Sequence, residues 1–194
     1  MLLEVIGLPA MLEQFGEELG EIIQASYKLI RKKKGENLTP KTIEQVMDNF
    51  SEEIADIMIC SMEILKIDDY EEFKKEFALE HDILNYDTYD EYNCLMSIIY
   101  EACDMINVVG SISFMIRTLY KDHVNDIESC YTAIRNDGME YNRIYGHIRT
   151  LTNLLYIAID IYGIDYKIDD YMLYKRNRMA SRLKEYNESG TCSE

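Results

Sequence analysis

Proline and glycine are scarce, with two prolines and nine glycines in 194 residues. That leaves long uninterrupted segments, which helices need and which a many-stranded fold with frequent turns does not. Basic charge is scarce too: 20 Lys and Arg stand against 36 Asp and Glu, a formal net charge of −16. Such a chain offers no basic face for nucleic acid or an anionic membrane, and neither is expected as a partner. A small phosphorylated ligand is still allowed, because a bound cation reverses the local sign. No apolar run approaches the roughly 20 residues of a membrane span, and "MLLEVIGLPA" lacks the basic start of a secretory signal. The five cysteines (Cys60, Cys94, Cys103, Cys130, Cys192) are odd in number and form no C-x-x-C pair. Most have apolar neighbours, so they are expected as buried free thiols in a reducing compartment, and the protein as cytoplasmic.

Several chemistries lack their motifs. There is no phosphate-cradling Gly-rich loop and no G-x-S-x-G elbow. Carboxylate-bridged di-iron bundles use Glu-x-x-His pairs. His81, His123 and His147 are preceded at minus three by Ala78, Tyr120 and Ile144, so none belongs to such a pair. No Cys/His spacing supports a zinc site.

What is present is helical periodicity. Hydrophobic residues make up 47% and charged residues 29%, enough for a real core with a solvated exterior. From about Met11 to Lys34, Leu12, Phe15, Leu19, Ile22, Ile23, Leu29 and Ile30 recur at three and four, which predicts a helix with one buried face. Lys32 to Lys34 suit a solvated helix end, and Gly35 suits the left-handed stop. Thr39-Pro40 then predicts the N-cap and first residue of a helix reaching about Lys66. "IDDYEEFKKEFALEHDILNYDTYDEY" reads as a short helix and a connector. Further helices are expected at about Glu91 to Tyr120, Asn125 to Arg135 and Tyr141 to Tyr162, then along "YKIDDYMLYKRNRMASRLKEY". "NESGTCSE" reads as a frayed tail, disordered over 188–194. The fold class is all-α, an antiparallel helix bundle.

A faint internal echo runs through the chain. "EELGEII" is echoed by "YEACDMI" (Tyr100 to Ile106), and "EEIADIMICSMEILKID" by "RTLTNLLYIAIDIYGID" (Arg149 to Asp165), in the same order. The pattern suggests a duplicated two-helix unit, with halves at 1–85 and 86–187 packed as one domain and as a tandem pseudo-dimer.

Two acidic knots stand out. Glu17, Glu18 and Glu21 lie in the first long helix, and Glu52, Glu53 and Asp56 in the second. Glu18 and Glu21 are three apart, as are Glu53 and Asp56, so each pair projects from one helix face. An E-x-x-E in so acidic a chain often marks only a solvated face. Here both pairs sit beside core-type residues, and helices packed antiparallel would bring the pairs together. Four convergent carboxylates without cations would repel one another and be costly to bury, so convergence would imply bound metal. An all-oxygen donor set favours hard ions, Mg²⁺ or Mn²⁺.

"EELGE" followed by "EEIAD" resembles the E-E-x-x-E and E-x-x-D motifs of the MazG-like all-α nucleoside triphosphate pyrophosphohydrolases. The resemblance covers about Glu13 to Ile67, with a longer connection between Glu21 and Glu53 than the family usually shows. It implies that Glu18, Glu21, Glu53 and Asp56 bind Mg²⁺ (Mn²⁺ as the alternative) and that Glu17 is a further ligand or orients water. It also implies hydrolysis of a nucleotide substrate between the α and β phosphates, releasing pyrophosphate. "YKRNRMASRL" is similar to the family's basic ending, which makes Lys175, Asn177, Arg178 and Arg182 the expected phosphate contacts; an exposed basic helix answering an acidic surface would look the same. Where Glu53 and Asp56 would recur, the second half has Thr150 and Asn153, while Glu101 and Asp104 echo Glu18 and Glu21. One working site per chain is therefore expected, an arrangement resembling the all-α dimeric dUTPases. A narrower dUTPase or dCTPase, a signalling-nucleotide hydrolase, a decayed non-catalytic bundle and a homodimer all remain open at this level.

Overall fold

The computed structural model describes residues 2–36, 40–78, 90–119, 121, 126–136 and 139–190. Among them the regular structure is entirely helical: α1 (Leu3–Ile6), α2 (Leu8–Lys33), α3 (Ile43–Leu65), α4 (Tyr70–Ala78), α5 (Glu91–Leu119), α6 (Ile127–Asn136), α7 (Met139–Tyr162) and α8 (Asp165–Gly190). The expected all-α bundle is what the chain forms.

The first long helix starts earlier than its periodicity suggests. Gly7, at φ 80°, turns the chain after α1, and Pro9 occupies the first turn of α2, where its missing N–H costs nothing. Gly35 adopts φ 72°, the left-handed stop its sequence position predicts. The next start is a correction. The N-cap of α3 is Thr42, not Thr39, which lies outside the described residues. Thr42 and Gln45 form a reciprocal capping box: each side chain accepts from the other's backbone N–H, at 3.2 Å and 2.9 Å. That satisfies two orphan donors at once, which explains why the helix begins there rather than at Pro40. At the other end of the chain, α8 continues to Gly190, into the stretch expected to fray.

The core is built on a central pair of helices. α2 packs against both α5 and α3, α7 packs against α5, α8 against α3, and α4 against α7. Phe15, Leu19, Ile22 and Leu29 of α2 are fully buried, as are Phe50, Ile54, Ile57 and Met58 of α3. Each such side chain contributes about 1.5–3 kcal/mol by leaving water. α5 supplies Ile98, Ala102, Met105 and Ile112, and α7 supplies Ile148, Leu151, Leu155 and Ile157.

α5 also corrects an expectation. It holds an 18-residue window of mean hydropathy 1.4, long and apolar enough by length and composition to cross a membrane. Isolated charges such as Glu101 and Asp104 break the run of apolar letters without removing its average hydropathy. In this fold, 44% of that window is buried against the rest of the bundle.

Polar contacts dock the outer elements. Arg117 holds Glu13 with two bonds, Nε to Oε1 at 2.6 Å and Nη2 to Oε2 at 2.7 Å, tying α5 to α2. Ile164, just before α8, and Ile168 and Met172 on it face the core, while Lys167 pairs with Asp48 and Lys175 with Asp56. Both pairs are separated by 119 residues, so α8 runs along α3 in the same direction. The lysines at the end of α2 are not simply solvated. Lys33 pairs with Glu91 and lies 4.6 Å from the Tyr162 ring centroid, and Lys34 lies 4.3 Å from that of Tyr92. Cys60, Cys94 and Cys130 are buried free thiols as expected, but Cys103 is exposed and free, and Cys192 lies outside the described residues.

Candidate functional site

The α2–α3 hairpin sets the height at which the acids meet. Glu18 lies roughly four turns before the end of α2, and Asp56 roughly four turns after the start of α3. Folding α3 back along α2 therefore brings them level. Leu19 and Ile22 on one helix and Ile54 and Ile57 on the other are buried, which turns the neighbouring acids towards the helix interface.

One ligand oxygen from each of Glu18, Glu53 and Asp56 lies within 4.8 Å of the other two. Glu53 is buried and the other two are half-buried. Glu21 is exposed, and its carboxylate is close enough to Glu53 to help raise it. Amides stand one turn earlier in both helices. Asn49 donates its Nδ2 to Glu53 Oε1, and Gln14 lines the same cavity as Glu18. That i, i+4 relation was readable in the sequence, so Gln14 and Asn49 could have been named from it.

Electrostatics register the crowding. Burial, followed by the Asp56 and Glu21 carboxylates, raises Glu18 to about 7. Burial, then Glu21 and Asp56, raises Glu53 likewise to about 7. Burial also raises Asp56, although Lys175 pulls the other way. Lys175 itself loses water, but Asp56 and Glu52 more than restore its charge, and its pKa ends above the usual value. Its ammonium pairs with Asp56 and lies 3.4 Å from Glu52 Oε1.

A cavity of about 250 Å³ is lined by Glu18, Glu21 and Asp56 together with Lys175 and Arg178, while Glu53 lies outside its lining. Ile59, Cys60 and Met179 complete the apolar part of the lining. The remaining expected residues fall elsewhere. Glu17 is exposed and outside the carboxylate group; Asn177 is exposed and does not line the cavity. Arg182 is on α8, and its side chain is outside the described residues.

The donor set fits a hard divalent cation. It is all oxygen, anionic and drawn from two rigid helices, with Glu18 and Glu53 raised by burial and by the neighbouring Asp56 and Glu21 carboxylates. Mg²⁺–oxygen bonds of about 2.1 Å place ligand atoms around one ion about 3–4 Å apart, within a small side-chain adjustment of the spacing here.

The second half carries no such group among the described residues. Glu101 meets His147 Nδ1 at 2.6 Å, Thr150 donates to the Gly146 carbonyl, and Asn153 is buried at 8% exposure. The three histidines thus yield one described ion pair, and His81 and His123 lie outside the described residues. Compared with family models, curated proteins and solved structures, the chain matches none.

Proposed function

We propose that this protein is a Mg²⁺-dependent nucleotide pyrophosphohydrolase of the MazG-like kind, cutting a nucleoside triphosphate into a monophosphate and pyrophosphate. One observation carries the reading: three carboxylates from two helices converge, and two of them, Glu18 and Asp56, line a cavity together with Lys175 and Arg178 of α8. Acids to hold a cation and bases to hold phosphate oxygens are the two halves of a triphosphate site, and here they line one cavity.

Glu18, Glu53 and Asp56, with Glu21 beside them, would hold Mg²⁺ or Mn²⁺. When bound, the ion neutralises phosphate charge and lowers the pKa of a coordinated water. Lys175, now paired with Asp56, turns to non-bridging phosphate oxygens once that carboxylate is otherwise engaged, and Arg178 contacts the same chain of phosphates. Glu21, on the open side of the cluster, takes the proton of the attacking water. The water oxygen bonds to phosphorus as the bridging α–β P–O bond breaks, and pyrophosphate departs with that electron pair.

The pairing of elements supports the duplicated-unit reading. The α2–α3 hairpin receives α8 from the second half, and the packed α5–α7 pair receives α4 from the first. Both acidic pairs are present in one half only, since Glu101 and Asp104 face no counterpart of Glu53 and Asp56 at Thr150 and Asn153, so a single working site per chain follows. Buried free Cys60, Cys94 and Cys130 suit a reducing cytoplasmic setting.

The test is pyrophosphate release from a panel of ribo- and deoxyribonucleoside triphosphates, in Mg²⁺ and in EDTA. Metal-dependent release with at least one nucleotide is expected. Absence of release from every nucleotide, with Mg²⁺ and with Mn²⁺, overturns the reading.

A further inference from the structure

A second cavity adjoins the acidic one. It measures about 170 Å³ and lies between α3, α8 and the N-terminal segment. Ile59 and Met179 line both cavities, so the two are neighbours separated by a shared apolar edge. The rest of its wall includes Met62, Ala180, Glu63 and Arg176. Its position therefore suits the part of a nucleotide that extends beyond the phosphates.

Glu63 gives this cavity its chemistry. It is only 7% exposed, among apolar side chains where a carboxyl group is costly to place. Its Oε2 accepts the Leu3 N–H at 3.0 Å, which holds the carboxyl in place. In the same lining, the guanidinium of Arg176 is anchored by donating Nη2 to the Asp68 carbonyl at 2.7 Å. The cavity thus offers flat apolar walls from Ile59 and two methionines, one fixed acceptor and one fixed donor.

We infer that this second cavity seats the base of the bound nucleotide, and that Glu63 selects bases carrying an exocyclic amine over uracil and thymine. The inference rests on the pyrophosphohydrolase reading. Guanine, adenine and cytosine each place an amino group beside a ring or carbonyl acceptor, which matches a carboxylate set near a guanidinium. Uracil and thymine present a single N3–H flanked by two carbonyl oxygens, so approach to Glu63 brings oxygen lone pairs against oxygen. Thioether and aliphatic walls accept the ring faces of any base. The discrimination therefore comes from the polar pair, and chiefly from Glu63, because a mismatched edge leaves its buried carboxylate oxygen unpaired while Arg176 is exposed.

Glu63→Gln makes the sharpest probe. The Leu3 N–H still needs an acceptor, so the amide oxygen takes that place and the NH₂ turns to the cavity. A donor then stands where an acceptor stood. The wild type is expected to favour dGTP, dATP or dCTP over dUTP in kcat/KM by about tenfold or more, and the variant to shift that ratio by at least about tenfold towards dUTP. Ala180→Leu, at an exposed position on α8, fills the cavity and raises KM for every nucleotide. Binding of inorganic triphosphate with Mg²⁺, measured by calorimetry, stays within about twofold in both variants, because that ligand has no base. Thermal melting establishes that each variant is folded.

Nucleotide turnover with no change in base preference in Glu63→Gln, or with KM unmoved in Ala180→Leu, overturns the base-pocket inference and leaves the hydrolase reading standing. A wild type that neither binds inorganic triphosphate nor turns over any nucleotide overturns both.

Discussion

Lys175 of α8 forms an ion pair with Asp56 of α3, between positions 119 residues apart. Half-buried between Asp56 and Glu52, that ammonium is the positive charge that α8 brings into the acidic cluster. Replacing it should have two separable effects. Lys175→Ala is expected to lower stability by about 1–3 kcal/mol, because it leaves buried carboxylates without their cation. Pyrophosphate release should fall by about tenfold or more, as expected for losing one electrostatic contact to transferring phosphates. Urea denaturation in Mg²⁺ and in EDTA checks the first effect, and Mg²⁺ should recover part of the loss.

Neutralising the acids should move stability and activity in opposite directions. Glu18→Gln removes a like charge from a crowded, partly desolvated site, so the metal-free protein should melt at a higher temperature at pH 8. The same substitution, like Asp56→Asn, should reduce metal-dependent turnover by about a hundredfold or more. A variant that melts higher and still turns over normally would remove Glu18 from the site.

The pH dependence has a definite sign. Burial and neighbouring carboxylates hold Glu18 and Glu53 at about 7 in the folded state, above the ordinary 4.5, so the folded protein binds more protons than the unfolded chain between those values. The stability associated with their protonated forms is complete below about 4.5 and is lost as pH rises through about 7. Without divalent cations, the melting temperature should therefore fall by a few degrees between pH 5.5 and 8, a change accessible to calorimetry. Mg²⁺ binds the ionised carboxylates, so its stabilising effect should be larger at pH 8 than at pH 5.5.

Packing one turn before Glu53 can be tested separately from the metal chemistry. Phe50 is fully buried and meets Tyr162 edge-on, with ring centroids 6.0 Å apart at 81°. Phe50→Ala is expected to cost about 3–5 kcal/mol, through lost burial and the cavity left behind. Chemical denaturation reads that cost. The Mg²⁺ affinity of the folded fraction should not change, since Phe50 lies outside the carboxylate group.

Local chemistry made much of the architecture legible. Leu12, Phe15, Leu19 and Ile22 recur with the period of one helix face, and that face is buried. Gly35 at φ 72° terminates its helix for a reason contained in the residue itself. The start of α3 was less legible, because Thr39-Pro40 and Thr42 both offer caps and only the reciprocal bond with Gln45 selects the second. Such a choice depends on two reciprocal side-chain-to-backbone bonds between Thr42 and Gln45, which composition at one position does not encode.

The acidic pairs show the same boundary. Spacing alone places Glu18 with Glu21, and Glu53 with Asp56, because i and i+3 share a face of any helix. Whether the two pairs meet depends on the hairpin closing in one register, and whether Lys175 joins them depends on α8 running along α3 from across the chain. Periodicity is a property of neighbouring residues, so the sequence by itself determined the helices, their buried faces and the acids carried beside them. Convergence of Glu18, Glu53, Asp56 and Lys175, and the separate placement of Glu63 in the adjoining cavity, were decided by tertiary packing. Contacts between distant segments form only when apolar faces bury one another, and no short stretch of sequence contains both partners.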